Sequence, residues 1–187
     1  YEDCEAMVAA AEQRFGKLDI AFNNAGVGVP LTKRVHDVTL EEWQKSIDVN
    51  LSGVFYGIKA ETPAMIRAGG GAIINTSSIA GLISGPKIAC YTATKHGVVG
   101  LTKAAAIDLI EYNIRVNALC PGGVRTPLLE AALAGPPPTE AVWAPTFPIK
   151  RMAEPEEMAS VVLFLASDAA SFLLGQAVAA DGGFVAL

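Results

Sequence analysis

Positive charge is sparse in this chain and nowhere concentrated. Fourteen Lys and Arg against nineteen Asp and Glu leave a net charge of −5 over 187 residues. With no basic cluster to neutralise phosphates, nucleic acid and anionic membrane surfaces are poor candidates for partners. Long apolar runs are missing too: none approaches the ~18–20 residues that cross a bilayer, and residues 1–5 are acidic where a secretory signal would be positive. Cysteine is scarce. Cys4, Cys90 and Cys120 form an odd set without Cys-x-x-Cys spacing, which suggests neither a disulfide framework nor a zinc site and fits a reducing, cytoplasmic setting. His36 and His96 have no ligand-type neighbours at metal spacing. Apolar residues, in contrast, are plentiful: 51% of the chain is hydrophobic, enough for the core of one domain spanning residues 1–187.

Helix and strand patterns alternate, the signal of an α/β, doubly wound parallel sheet with helices on both faces. Cys4, Met7, Val8, Ala11 and Phe15 keep helical period, and Gly16 supplies a stop. Residues 18–22 form an apolar strand running into Asn23-Asn24-Ala25-Gly26. Thr39 and Glu42 make a capping box that opens a long helix through Asn50 and Phe55 toward Arg67. Three glycines, 69–71, turn the chain into a buried strand that ends at Ser77-Ser78. A second long helix carries Tyr91 and Lys95 and runs to about Tyr112. Residues 114–119 form the next strand, Pro155 opens another helix, and residues 176–180 form a last short strand. Between Pro127 and Arg151 the pattern breaks at Pro-rich runs, 134–138 and 143–148. An irregular segment of that length is usually either functional or disordered; on the functional reading Leu128, Leu129, Trp143 and Phe147 would give it an apolar inner face.

Tyr91 and Lys95 stand one helical turn apart and so share a face. A phenol holds its proton until pH ~10, so at neutral pH it needs a nearby cation to serve as a base, and the Lys95 ammonium is expected to lower its pKa. Ser78, thirteen residues upstream of Tyr91, is delivered at the carboxyl end of a strand, where ligands bind in open α/β sheets. The trio supplies a proton donor and acceptor, a cation to tune it and a hydroxyl to aim a substrate.

These residues, with Asn23-Asn24-Ala25-Gly26, Asn50, the run Pro121-Gly122-Gly123-Val124-Arg125-Thr126-Pro127 and Asp181-Gly182-Gly183, follow one another in a family's order. The chain resembles the short-chain dehydrogenase/reductase family from end to end. The resemblance implies a Rossmann-like sheet, NAD or NADP as cofactor, and hydride transfer to or from a small-molecule secondary alcohol or ketone. It assigns Tyr91 as general acid/base, Ser78 to the substrate oxygen and Lys95 to Tyr91 and the nicotinamide ribose. Asn50 joins the catalytic set as holder of a water in a proton relay. The cofactor-binding positions it implies are Asn23, Ala25, Gly26, Asn50, Tyr91, Lys95, Pro121, Gly122, Val124 and Thr126.

The same resemblance implies a Gly-rich pyrophosphate turn ahead of residues 18–22, and no such turn occurs. The expectation is therefore an N-terminally truncated domain, short of three strands and two helices or roughly 50–60 residues. On its own such a chain should bind dinucleotide weakly and be poorly stable. A homo-oligomer, as a tetramer, is expected through the two long helices and the segment after Gly175, with Ala60, Ala64, Ala104, Ala105 and Ala106 at close contacts. Reduction of a 3-oxoacyl thioester is the alternative within the family, with Lys87, Arg125, Lys150 and Arg151 as rim cations. A non-catalytic scaffold is the alternative outside it.

Overall fold

Four strands run the same way because each is reached by a helical crossover that returns the chain to the opposite end of the sheet. They are β1 (Ile20–Asn23), β2 (Gly71–Thr76), β3 (Ile114–Pro121) and β4 (Ala177–Ala180), in the order β1-β2-β3-β4. The computed structural model describes residues 1–28, 33–132 and 139–186. At the carboxyl ends the register pairs Asn23 with Asn75, Thr76 with Leu119 and Pro121 with Ala180. That edge is where the candidate site residues leave the sheet.

Helix α1 (Glu2–Phe15) stops at Gly16, whose φ of 82° closes a left-handed cap. Helix α2 (Leu40–Ile47) opens on the expected capping box, with both reciprocal Thr39–Glu42 bonds formed. A five-residue π-helical stretch, Asp48–Ser52, joins it to α3 (Gly53–Ala68). Helix α4 (Ala89–Leu109) carries Tyr91 and Lys95. Three shorter helices complete the chain: α5 (Pro127–Ala132), α6 (Thr139–Trp143) and α7 (Pro155–Ala166), the last capped reciprocally by Glu154 and Glu157.

Successive side chains of a strand point to opposite faces, and β2 shows what that does here. Ile73 packs with Val54, Ile58 and Met65 of α3 and Val98 and Ala106 of α4, whereas Ile74 packs with Leu119 and with Leu165 of α7. Both isoleucines are fully buried, each worth about 1.5–3 kcal/mol of transfer free energy. Helices therefore cover both faces, as the alternating pattern predicts.

Three expectations are corrected. The segment from Pro127 to Arg151 is not irregular throughout: α5 and α6 lie within it, while the Pro-rich run 134–138 falls outside the described residues. Phe147 is not on an inner face of that segment. It is 2% exposed and packs against Gly122, Gly123 and the Phe184 ring, 5.1 Å away. The small residues expected at an oligomer interface mostly serve the chain's own core: Ala60 and Ala64 pack with Val8 of α1, and Ala105 and Ala106 join the cluster beneath α4.

Candidate active site

The carboxyl ends of the strands open into a cleft of about 770 Å³, within the range of small-molecule and cofactor sites. Ser78 and Tyr91 both line it, and so does Lys95. Ser78 leaves β2 in extended conformation, and its hydroxyl caps the next turn by accepting from the Ala80 N–H at 3.1 Å. Its neighbour Ser77 does something else. The Ser77 hydroxyl is buried and donates to the Lys95 carbonyl at 2.9 Å, tying the end of β2 to α4 and fixing where Lys95 leaves the helix.

Lys95 is 4% exposed, with its ammonium donating to the Thr76 carbonyl at 2.8 Å and lying 5.6 Å from the Tyr91 ring centroid. Among the described residues no carboxylate pairs with it. Burial pulls its pKa down to about 8, against a smaller upward pull from Cys120. Burial pushes the Tyr91 phenol up, and the Ser78 hydroxyl acts in the opposite direction. The sequence reading expected Lys95 to bring the phenol down. Here the ammonium is directed to the Thr76 carbonyl, and desolvation of the phenol dominates.

Asn50 is completely buried in the π-helical stretch. Its amide bonds the Val27 backbone both ways, accepting from Val27 N–H at 2.8 Å and donating to Val27 C=O at 3.0 Å. A π-helical turn inserts one residue into the helix and turns a side chain out of the regular pattern, a device common at functional sites. Asn50 thus holds the loop after β1 in place, close enough that a Cβ on Gly26 would sit 3.2 Å from its Oδ1. Ala25 and Gly26 line the cleft from one side, and Pro121, Gly122, Val124 and Thr126 from the other. Gly122 is also forced small, because an added Cβ would meet the Asp181 Cα at 2.8 Å.

Asn23 is the site residue the structure moves. Its amide turns under the sheet, donating to Glu61 at 3.2 Å and to Asn75 at 3.0 Å, and Asn75 donates on to Thr102 at 3.0 Å. The neighbouring Asn24 is the one that lines the cleft, accepting from the Thr76 hydroxyl at 3.0 Å. Asn24 and Thr76 were missed as candidates. Strand alternation, carried one residue past β1 and β2, was the signal that separates them from Asn23 and Asn75.

Compared with known proteins, residues 1–185 match a family model described as Enoyl-(Acyl carrier protein) reductase. Over 183 residues the chain is 46% identical to the cyclohexanol dehydrogenase of Acinetobacter sp. (strain SE19), covering 98% of this chain and 70% of that one. It is also 46% identical over 184 residues to the trans-4-hydroxycyclohexanecarboxylate dehydrogenase of Sinomonas cyclohexanicum, with 98% and 66% covered. Among solved structures, carveol dehydrogenase from Mycobacterium avium in complex with NAD superposes with a TM-score of 0.94 at 32% identity, covering 100% of this chain and 72% of that one. The chain belongs to the short-chain dehydrogenase/reductase family. With that membership it is an NAD(P)-dependent oxidoreductase with a Rossmann-like fold.

The residues present fit the nicotinamide half of such a cofactor. A buried ammonium with no anion beside it keeps N–H donors free for ribose hydroxyls, and small residues at 25, 26 and 122 leave the cleft wall flat. No group of three or more His, Cys, Asp or Glu among the described residues is arranged to hold a metal, and no helix is long and apolar enough to cross a membrane.

Proposed function

We propose that Tyr91, Ser78 and Lys95 perform the interconversion of a secondary alcohol and its ketone. The observation that carries this is their convergence at the carboxyl edge of the sheet, on one cleft, with the lysine buried and free of any carboxylate among the described residues. Nicotinamide, when bound, supplies or takes up the hydride. Tyr91 gives a proton to the substrate oxygen in reduction and takes the hydroxyl proton in oxidation. Ser78 holds the same oxygen through a hydrogen bond and stabilises alkoxide charge as it develops. Lys95 keeps positive charge beside Tyr91, and its remaining N–H groups would hold the ribose hydroxyls of the cofactor. Ala25, Gly26, Pro121, Gly122, Val124 and Thr126 form the walls that would hold the cofactor. Asn50 positions the Val27 loop with its amide, and a water held at its turn would carry protons to and from Lys95.

The family model's description names an enzyme acting on a carrier-bound acyl chain, which bears on the second reading, reduction of the ketone of a 3-oxoacyl thioester on an acidic carrier. Such a carrier needs free cations at the rim. Of the four rim cations expected, Arg125 is already paired with Glu140 and Glu154, Arg151 with Glu157, and Lys150 bonds the Pro145 carbonyl, while the exposed Lys87 borders a separate small cavity; this favours the alcohol reading. The protein acts as one domain and as a homo-oligomer, supported by exposed Phe55, Tyr56 and Ile107 on α3 and α4. The test is chemical: a simple secondary alcohol with NAD or NADP should give ketone and reduced nicotinamide in equal amounts, and formation of neither would defeat the proposal.

A further inference from the structure

The substrate end of the cleft is walled by apolar side chains from four segments: Ile83 and Ile88 ahead of α4, Leu128 and Leu129 on α5, Trp143 on α6 and Met158 on α7. Of the Lys, Arg and His side chains described, Lys95 alone lines the cleft, and its ammonium lies beside Tyr91, bonded to the Thr76 carbonyl with its other donors assigned above to the cofactor ribose. The stretches 29–32 and 130–139 contain no Lys, Arg or His at all. Three of the other cations are engaged elsewhere. Lys33 sits on Glu42 at 2.6 Å, Arg125 on Glu140 and Glu154, and the Lys150 ammonium on the Pro145 carbonyl at 2.9 Å. Lys87 is exposed and borders a separate small cavity with Lys33 and Glu42.

We infer that this cleft takes uncharged, apolar secondary alcohols and ketones and discriminates against substrates that carry a carboxylate or phosphate. The inference rests on the alcohol–ketone reading above and adds the substrate's charge to it. A neutral ring or chain loses little on entering such a wall and gains its transfer free energy. An anion surrenders its hydration and finds no cation, and an unpaired buried charge costs several kcal/mol. Glu140 and Glu154, which bracket Arg125, cancel the one arginine adjoining the cleft loop. The named relatives include an enzyme for a neutral cyclohexanol and one for a cyclohexane carboxylate; the wall described here suits the first chemistry.

The experiment compares kcat/KM for trans-4-hydroxycyclohexanecarboxamide and trans-4-hydroxycyclohexanecarboxylate, which have nearly the same shape and differ in charge. The expected result is a preference for the amide on the order of 100-fold. In Leu128→Arg, which places a cation on the wall, the preference should shrink at least ~10-fold as the carboxylate gains a partner. Equal or better turnover of the carboxylate by the wild-type enzyme would overturn the inference while leaving the alcohol–ketone reading intact. An unchanged ratio in Leu128→Arg, with the amide still turned over, would also count against this wall as the origin. Failure of both compounds and of cyclohexanol would instead defeat the alcohol–ketone reading itself.

Discussion

Ser77 spends its hydroxyl on the Lys95 carbonyl, while Ser78 opens onto the cleft beside Tyr91. In the proposed mechanism the adjacent serines divide support from chemistry. In Ser78→Ala, kcat for alcohol oxidation should fall on the order of 100-fold, the usual loss of one transition-state donor. In Ser77→Ala the fall should stay under about 10-fold, and the main loss should be about 1 kcal/mol of stability from the missing buried bond. Steady-state kinetics and thermal melts of the two variants check this, and the opposite ranking of kcat would exchange the roles. The phenol of Tyr91 is pushed up by burial, so it stands protonated at neutral pH. Ketone reduction, which uses the acid form, should be favoured there, and alcohol oxidation, which needs the phenolate, should accelerate from about pH 7 toward about pH 9. A flat pH profile for oxidation would contradict that assignment.

Beneath the cleft, Glu61 of α3, Asn23 of β1, Asn75 of β2 and Thr102 of α4 form a hydrogen-bonded belt through the sheet. Gly57 makes room for it, since a Cβ there would lie 2.2 Å from the Asn23 Oδ1. Glu61 is 1% exposed, and desolvation raises its pKa to about 7, opposed by the bond from Asn23. Its folded pKa lies above the unfolded value, so between about pH 4.5 and pH 7 the folded state binds more protons than the unfolded one. Stability from this group therefore declines as pH rises through that window and stays low above it. Glu61→Gln keeps an acceptor for Asn23 and removes the charge. It should stabilise the protein at about pH 8, by up to about 3 kcal/mol, and do little at about pH 5. Melts at the two pH values decide it, and equal shifts at both would show that charge is not the cause. The sequence announced the elements themselves, because caps such as Thr39 with Glu42 and stops such as Gly16 act locally. It did not announce which asparagine of Asn23-Asn24 faces the cleft, since that depends on where β1 ends against β2. Glu61 escaped notice because one acid among Ile58, Ala60, Ala64 and Met65 reads as an exposed position until its partner across the sheet is known. Phe147 misled because an aromatic in a Pro-rich stretch gives no hint of the space left beside Gly122 and Gly123.

Taken as a whole, the molecule gathers its candidate site residues at one edge of the sheet and leaves apolar surface both there and on β1. Among the described residues β1 is hydrogen-bonded on one side only, to β2, and Ile20 and Phe22 on it are 51% and 43% exposed. An apolar strand edge of this kind recruits other chains, so the 187-residue chain should self-associate at micromolar concentration, and Phe22→Lys should reduce the association. Light scattering of both tests this; a monomeric mass for the unaltered chain would contradict it. The family membership joins the fold to a redox reaction, and the proposed mechanism joins that reaction to Tyr91 in the cleft. The most direct test follows reduced nicotinamide in the enzyme and its Tyr91→Phe variant with cyclohexanol as substrate. The account predicts alcohol-dependent reduction by the enzyme and a loss of at least ~1000-fold in kcat for the variant, with cofactor affinity kept within about threefold because the ring remains. Turnover by Tyr91→Phe within about threefold of the unaltered enzyme would contradict it.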